Sequence, residues 1–192
     1  MDVPPEEFLI ALDSLKGQSF RAEMHVKQIP GPTRIAPWSV ALQAELNDCA
    51  DLDPDFYRGD AKFVVLYDPA GQPAWDGCMR IVIHARAPMD SDIGADELLG
   101  QVAWSWLIDA LEHRGASLHN LTGTVTRVFD EAFSSTHRES VRVSAEVRAS
   151  WTPATPYLTE HLMAWADFSS QLVGLDPSLP GLSALPHKVA SL

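Results

Sequence analysis

Cations recur at alternate positions in three segments of this chain, and that spacing is where recognition chemistry could begin. Arg21, Glu23, His25 and Lys27 alternate in the first, Arg80, His84 and Arg86 in the second, and Arg142, Glu146 and Arg148 in the third. Alternate residues of a strand share one face of a sheet. If these segments are strands of one sheet, Arg80, His84, Arg86, Arg142 and Arg148 form a basic face. Such a face could receive an anionic ligand, an RNA backbone or an acidic segment of a partner protein. Ordinary cross-strand pairing with Glu23, Glu45 and Glu146 is the commoner arrangement. Aromatic side chains that would stack on bases are missing from this face, so nucleic acid is disfavoured.

Arg127 breaks the pattern. In LTGTVTRVF it falls in phase with Leu121, Val125 and Phe129, on the apolar side of its segment. A guanidinium buried there needs a carboxylate. Asp109 is the first candidate partner and Asp76 the second, in a structural ion pair rather than a catalytic one. The Trp75-Asp76-Gly77 turn lies at the start of a strand and could rim a cleft. Trp75, Asp76, Asp109 and Arg127 therefore mark a second candidate site.

Other chemistries leave little mark. None of the histidines (His25, His84, His113, His119, His137, His161 and His187) pairs at the four-residue helical spacing of a zinc site. Asp51, Asp53 and Asp55 imitate the first ligands of a calcium loop, but Phe56 stands where glycine is required and Lys62 where glutamate closes the loop. There is no GxSxG elbow, neither cysteine has a histidine beside it, and no glycine-rich phosphate loop occurs. GTVTR at 123–127 carries one glycine and reads as strand. No metal and no cofactor are expected. The reading leans away from an enzyme, because only carboxylates assembled in space, such as Asp76 with Asp109, would remain.

Composition narrows the class further. In 192 residues, 26 acids against 14 Lys and Arg give a net charge of -12, which argues against general binding to nucleic acid or anionic membrane. A hydrophobic fraction of 46% excludes a mainly disordered chain. Cys49 and Cys78 are too far apart for a metal knuckle and read as free thiols of a reducing compartment. MDVPPEEFLIAL has acids where a signal peptide needs positive charge, and no apolar run is long enough to span a membrane. A cytoplasmic protein is expected.

The elements that would carry these residues follow from periodicity. Pro4, Pro5, Glu6 and Glu7 open a first helix, stopped by Gly17. Arg21–Gln28, Trp38–Leu46, Ala61–Tyr67 and Cys78–Ala87 alternate as strands. A central helix runs from about Asp96 to Arg114 and is closed by Gly115; Trp104, Trp106, Leu107, Ile108 and Leu111 surround its axis, so it is expected to be buried on several sides. Leu121–Asp130 and Ser140–Thr152 form a strand pair, and Thr155-Pro156 caps a third helix ending at Gly174. The order α-β-β-β-β-α-β-β-α predicts an α+β fold, with one mainly antiparallel sheet of about six strands and helices packed on one face. Residues 1–174 read as a single domain. Residues 175–192 read as an irregular proline-containing tail, with Leu175, Leu179 and Leu182 docking back.

Four segments together, AWDG at 74–77, WSWLIDALEHRG at 104–115, GTVTR at 123–127 and RASWTP at 148–153, resemble an uncharacterised actinobacterial family. It is catalogued as domain of unknown function number three thousand, and the likeness spans roughly Phe8 to Leu185. The resemblance implies no assigned activity and no catalytic residues. The element order is also similar to that of small acidic secretion chaperones, with one strand more, an analogy of fold alone.

Two functions stand open. The first is a non-catalytic cytoplasmic binding or adaptor module that uses its sheet face or edge on a protein partner. A second copy of the chain, giving a homodimer, is another candidate partner, and a membrane is not. The alternative is a small-molecule-binding protein or enzyme, with a pocket between central helix and sheet near Trp75, Asp76 and Arg127. An open face with an exposed edge strand would favour the first, and a closed pocket holding a desolvated Asp–Arg pair the second.

Overall fold

Short connections between successive strands force antiparallel neighbours, and a computed structural model of the chain has that arrangement. Residues 3–47, 57–135, 137–175 and 187–188 are described. Cys49, the acidic Asp51, Asp53 and Asp55, and Leu179 and Leu182 lie outside them. The elements are α1 (Glu6–Ser14), β1 (Ser19–Phe20), β2 (Met24–Ile29), β3 (Trp38–Asn47), β4 (Tyr57–Gln72), β5 (Gly77–Met89), α2 (Ser91–Ala95), α3 (Leu99–His113), β6 (Leu118–Ser134), β7 (His137–Pro153), α4 (Thr159–Leu172) and β8 (His187–Lys188). The main sheet has the order β2-β3-β4-β5-β7-β6, antiparallel throughout. After β5 the chain passes through α2 and α3 to the edge strand β6. It then turns back as β7 into the place beside β5.

The fold is thus the expected α+β arrangement, and its core lies on one face. Leu42 and Leu46, Phe63 and Val65, Ile81 and Ile83, and Val147 and Trp151 are buried there beneath the helices. Val143 is buried as well, whereas Arg142 and Arg148 point away and are exposed. Phe8 of α1 packs on Trp38 and Tyr67 with ring centroids 6.2 and 5.9 Å away. Trp165 of α4 lies 5.6 Å from Phe63. Helices and sheet are joined by a few directed bonds. Ser14 Oγ at the end of α1 accepts from Leu158 N at 2.9 Å, and Thr159 Oγ1 donates to Ser14 O at 2.7 Å. The start of α4 is therefore capped from α1, not by Thr155. Arg114 closes α3 onto α4 with two bonds to the Asp167 carboxylate, at 2.5 and 2.8 Å, the bidentate geometry that suits a guanidinium best.

Several expectations are corrected. Helix α3 is not buried on several sides. It buries Leu99, Ala103, Leu107, Ala110 and Leu111, leaves Trp104, Trp106 and Ile108 half-buried, and exposes Ser105 and Asp109. In a two-layer fold only one side of a helix meets the sheet. The large Trp104 indole lies over Gly123 of β6, where a Cβ would collide with its ring. Strand β2 begins at Met24, so Arg21 and Glu23 stand in the turn before it, paired at 3.1 Å. The short helix α2 and the pairing of β1 with β8 had no periodic signal. The tail is therefore not wholly irregular, and Leu175 does dock on the core.

His161 of α4 is buried, and its Nδ1 accepts from Trp151 Nε1 at 3.1 Å. Burial pushes its pKa down to about 4, with Glu160 opposing weakly. The unfolded chain protonates this histidine near its ordinary 6.5, so below that pH the unfolded state takes up a proton that the folded state refuses. Stability must fall as the pH drops from about 7 toward 4. The expected loss from this group is about 2–3 kcal/mol between pH 7 and 4.5, measured by urea unfolding. His161→Gln, which keeps an acceptor for Trp151, should lose less over the same range by that amount. Equal acid slopes in the two proteins would assign the titration to another group.

Candidate functional site

On the face of the sheet turned away from the helices, the register sets side chains of β5, β7 and β6 in rows. Val82, Ser150 and Thr122 form one row, His84, Arg148 and Thr124 the next, and Arg86, Glu146 and Thr126 a third. Strands lie about 4.8 Å apart, and a two-residue step along a strand is about 6.8 Å. Val82, Thr122, Thr124, Arg148 and Ser150 line a shallow recess of ≈ 350 Å³. Farther along, Arg86 Nε donates to Ser144 Oγ at 3.3 Å and its Nη2 lies 3.9 Å from Asp130. Arg142 is exposed beyond it.

Glu146 organises the middle of this face. His84 Nε2 stands 2.6 Å from its Oε1, and Arg148 Nη2 donates to the same oxygen at 2.5 Å. The bond to His84, and behind it the Arg148 contact, hold the Glu146 carboxyl below the usual carboxylate range, against a smaller opposing effect of burial. This is the cross-strand pairing that alternation of charges foretells.

Arg80 departs from the expectation. It is 6% exposed rather than part of an open basic face. The β4–β5 turn folds over this end of the sheet, where Trp75 packs with Ala36 and Leu66 beside Val64 and Val82. Beneath that cover, Arg80 Nη1 donates to Asn120 O at 2.9 Å and to Thr152 Oγ1 at 3.1 Å. Its Nη2 donates to Ser150 Oγ at 2.8 Å, Ser150 O at 3.2 Å and Thr122 Oγ1 at 3.3 Å. Among the described residues every partner is a neutral oxygen. Burial lowers the Arg80 pKa, yet an arginine keeps its charge in proteins.

The turn itself is latched to the start of β6 and the end of β7. Thr152 Oγ1 donates to Trp75 O, Asn120 Nδ2 to Ala74 O at 3.0 Å, and His119 Nε2 to Asp76 O at 3.0 Å. Asp76 and Asn120 both adopt left-handed backbone, at φ 53 and 55, a conformation these two residue types tolerate best after glycine. The Asp76 carboxylate is 83% exposed and lies 3.6 Å from His119.

The expected buried pair does not form. Arg127 is on the helix side of β6, in phase with Val125 and Phe129, but it is exposed. Its Nη1 donates to Ala95 O at 3.4 Å and Asp96 O at 3.1 Å, at the end of α2. Asp109 instead sits on the outer side of α3, with Glu112, His113, Arg114, Asp167 and Gln171 around it, and Asp76 belongs to the latch. At this level α2 covers β7, where Val143 and Ala145 are buried, but not the neighbouring edge strand β6. Phe129, 53% exposed on the same side, makes the point. Of the sequence-derived residues the structure groups His84 and Arg148 near Arg80, but it separates Arg127 and Asp109 from Trp75 and Asp76. His119, Asn120, Thr122, Ser150 and Thr152 were missed. A usable signal existed only for Asn120, as a residue type suited to a left-handed bend. Among the described residues no group of three His, Cys, Asp or Glu could hold a metal ion.

A family model described as "Protein of unknown function (DUF3000)" matches residues 4–182. No curated protein and no solved structure matches the chain. The likeness in element order to secretion chaperones accordingly carries no argument.

The two arginines should respond oppositely to truncation. Arg80→Met leaves Thr152, Ser150 and Asn120 without their donor in a covered site, and should lower stability by about 2 kcal/mol. Arg127→Ala removes an exposed contact with two carbonyls and should change stability by no more than about 0.5 kcal/mol. Urea unfolding of both variants tests this. The reverse order would mean that Arg127, not Arg80, is the buried cation.

Proposed function

We propose that this chain, which belongs to the family of unknown function DUF3000, is a non-catalytic binding module that takes an acidic segment of a protein partner. The segment lies across the outer face of β5, β7 and β6. The observation that carries this reading is the set of exposed guanidinium groups there. Arg86, Arg142 and Arg148 stand exposed on this face, with Glu146 and Asp130 among them and Asp60 of β4 beside Arg86, in a chain of net charge -12. A local concentration of one charge sign on a surface of the other sign steers a complementary partner to that place. The face is uncovered, and the long strand β6 forms its edge. The alternative, a pocket enzyme near Trp75, Asp76 and Arg127, loses its anchor because Arg127 is elsewhere and the groups around the turn are satisfied by each other. We place this activity in the cytoplasm, on the sparse cysteines, which suit free thiols of a reducing compartment. No helix of the described residues is long and apolar enough to cross a membrane.

A fluorescein-labelled deca-glutamate peptide is a direct probe. Wild-type protein should bind it at low ionic strength, with affinity falling as salt rises. Reversing Arg86, Arg142 and Arg148 to glutamate should weaken binding at least about tenfold. The stability of that variant should stay within about 0.5 kcal/mol of wild type, since all three sites are exposed. Undiminished binding after reversal, or none by the wild type, would overturn the reading.

A further inference from the structure

We infer that the recess between β7 and β6 is a subsite for one phosphate monoester group. The inference rests on the reading of this face as an anion-binding surface, and it names the group and the atoms that hold it.

Arg80 has no carboxylate partner among the described residues. Burying a cation among neutral oxygens alone is unfavourable unless something further answers its charge. Arg80 spreads that charge through hydroxyls. Thr152 Oγ1 accepts from Arg80 and passes its own proton on to Trp75 O. Thr122 Oγ1 and Ser150 Oγ also accept from Arg80. Each of these two likewise has a proton to donate. Among the described residues those protons find no acceptor except a weak 3.5 Å contact between the two hydroxyls themselves. Both residues line the recess. A hydroxyl that accepts from a guanidinium is a stronger donor through its other side. The recess therefore presents two polarised hydroxyl donors with a buried positive charge behind them.

Register completes the set. Thr122 stands opposite Ser150, and Thr124 opposite Arg148, so the four residues occupy the corners of a rectangle of about 4.8 by 6.8 Å. One tetrahedral oxyanion at its centre is within reach of all four. Three hydroxyls and a guanidinium offer more donors than the two oxygens of a carboxylate can use, and two arginines match a doubly charged group, which points to phosphate. Arg148 is held to Glu146 at 2.5 Å, but its side chain is 68% exposed. Glu146 is 17% exposed, but the exposure of the arginine itself screens the pair and leaves it a weak competitor. Glu146 retains His84 when Arg148 turns to the ligand.

The test uses the full chain and follows backbone amide signals at constant ionic strength. Its probes are inorganic phosphate, a phosphoserine peptide flanked by glutamates, and the same peptide with plain serine. Saturable shifts at Thr122, Thr124 and Ser150 with phosphate are expected. Thr122→Val combined with Ser150→Ala, which leaves every charge in place, should weaken phosphate binding at least about tenfold. Thr124→Val, outside the Arg80 network, should weaken it several-fold and serves if the double variant does not fold. Phosphopeptide binding tighter than phosphate would mean that the group arrives on a protein segment, and equal binding that it arrives free; both support the subsite. Phosphate binding untouched by the hydroxyl variants would overturn it. So would binding of the plain peptide and deca-glutamate without any preference for phosphate, and in that case the acidic-partner reading would stand. Failure of every anion would remove both.

Discussion

A six-stranded sheet has two faces to satisfy, and this chain supplies helices for one. Helices α1, α3 and α4 all pack on the same side, where Phe63, Ile83, Val147 and Trp151 interlock with Leu107, Leu162 and Trp165. The opposite side has to manage with strand residues and one turn. It does so by two means. Over much of its area it pairs charges across and along strands, as His84 of β5 and Arg148 of β7 both do with Glu146 of β7. At one end it forms a small apolar patch, in which Trp75 covers Leu66 beside Val64 and Val82. The site at Arg80 exists because these two solutions meet there.

That junction explains why a guanidinium is buried where none would be placed by pattern alone. Arg80 stands on the polar side of β5, in the same alternation as His84 and Arg86. The Trp75 turn and Asn120 then close over it and remove it from water, leaving its five hydrogen bonds to neutral oxygens on β6 and β7. A carboxylate in that position would have made a closed ion pair with nothing left to offer. Hydroxyls and carbonyls satisfy the donors without cancelling the charge, and the remaining positive potential emerges through Thr122 and Ser150.

Side-chain period was legible in the sequence, and cover was not. Alternation puts Val141, Val143, Val147 and Trp151 on one side of β7 and Arg142, Glu146 and Arg148 on the other, and the structure has that phase because a strand's period depends only on its own residues, although Val141 is exposed rather than covered by a helix. Arg127 shows the limit. Its phase beside Val125 and Phe129 was read correctly, but whether a helix lies above that point depends on where α3 begins, at Leu99, on another element and far back in sequence. Arg80 shows the converse. Its polar side is covered by a turn that sequence reading could place only at the rim of a cleft. The apolar residues all round α3 misled for a related reason. Trp104 covers the backbone at Gly123, so a large side chain at the border of the helix face fills a gap left by a missing one on β6, and it need not be wholly enclosed to do so.

The division of faces also separates the residues that hold the fold from those that face outward. The Ser14 cap on α4, the Arg114–Asp167 clasp and the Trp151–His161 bond all lie on the helix side, between elements distant in sequence. Arg86, Arg142 and Arg148 are themselves exposed and contribute little to folding. Arg80 belongs to both groups. Through Thr152 and Asn120 it ties β5 to the turn and to β6, and through Thr122 and Ser150 it faces the recess. Mechanical and recognition roles are therefore coupled at this one side chain. A ligand that accepts protons from Thr122 and Ser150 strengthens their bonds back to Arg80, and so tightens the latch that keeps Arg80 buried. Binding at the recess and order in the β4–β5 turn should rise together, because the same guanidinium is hydrogen-bonded to both.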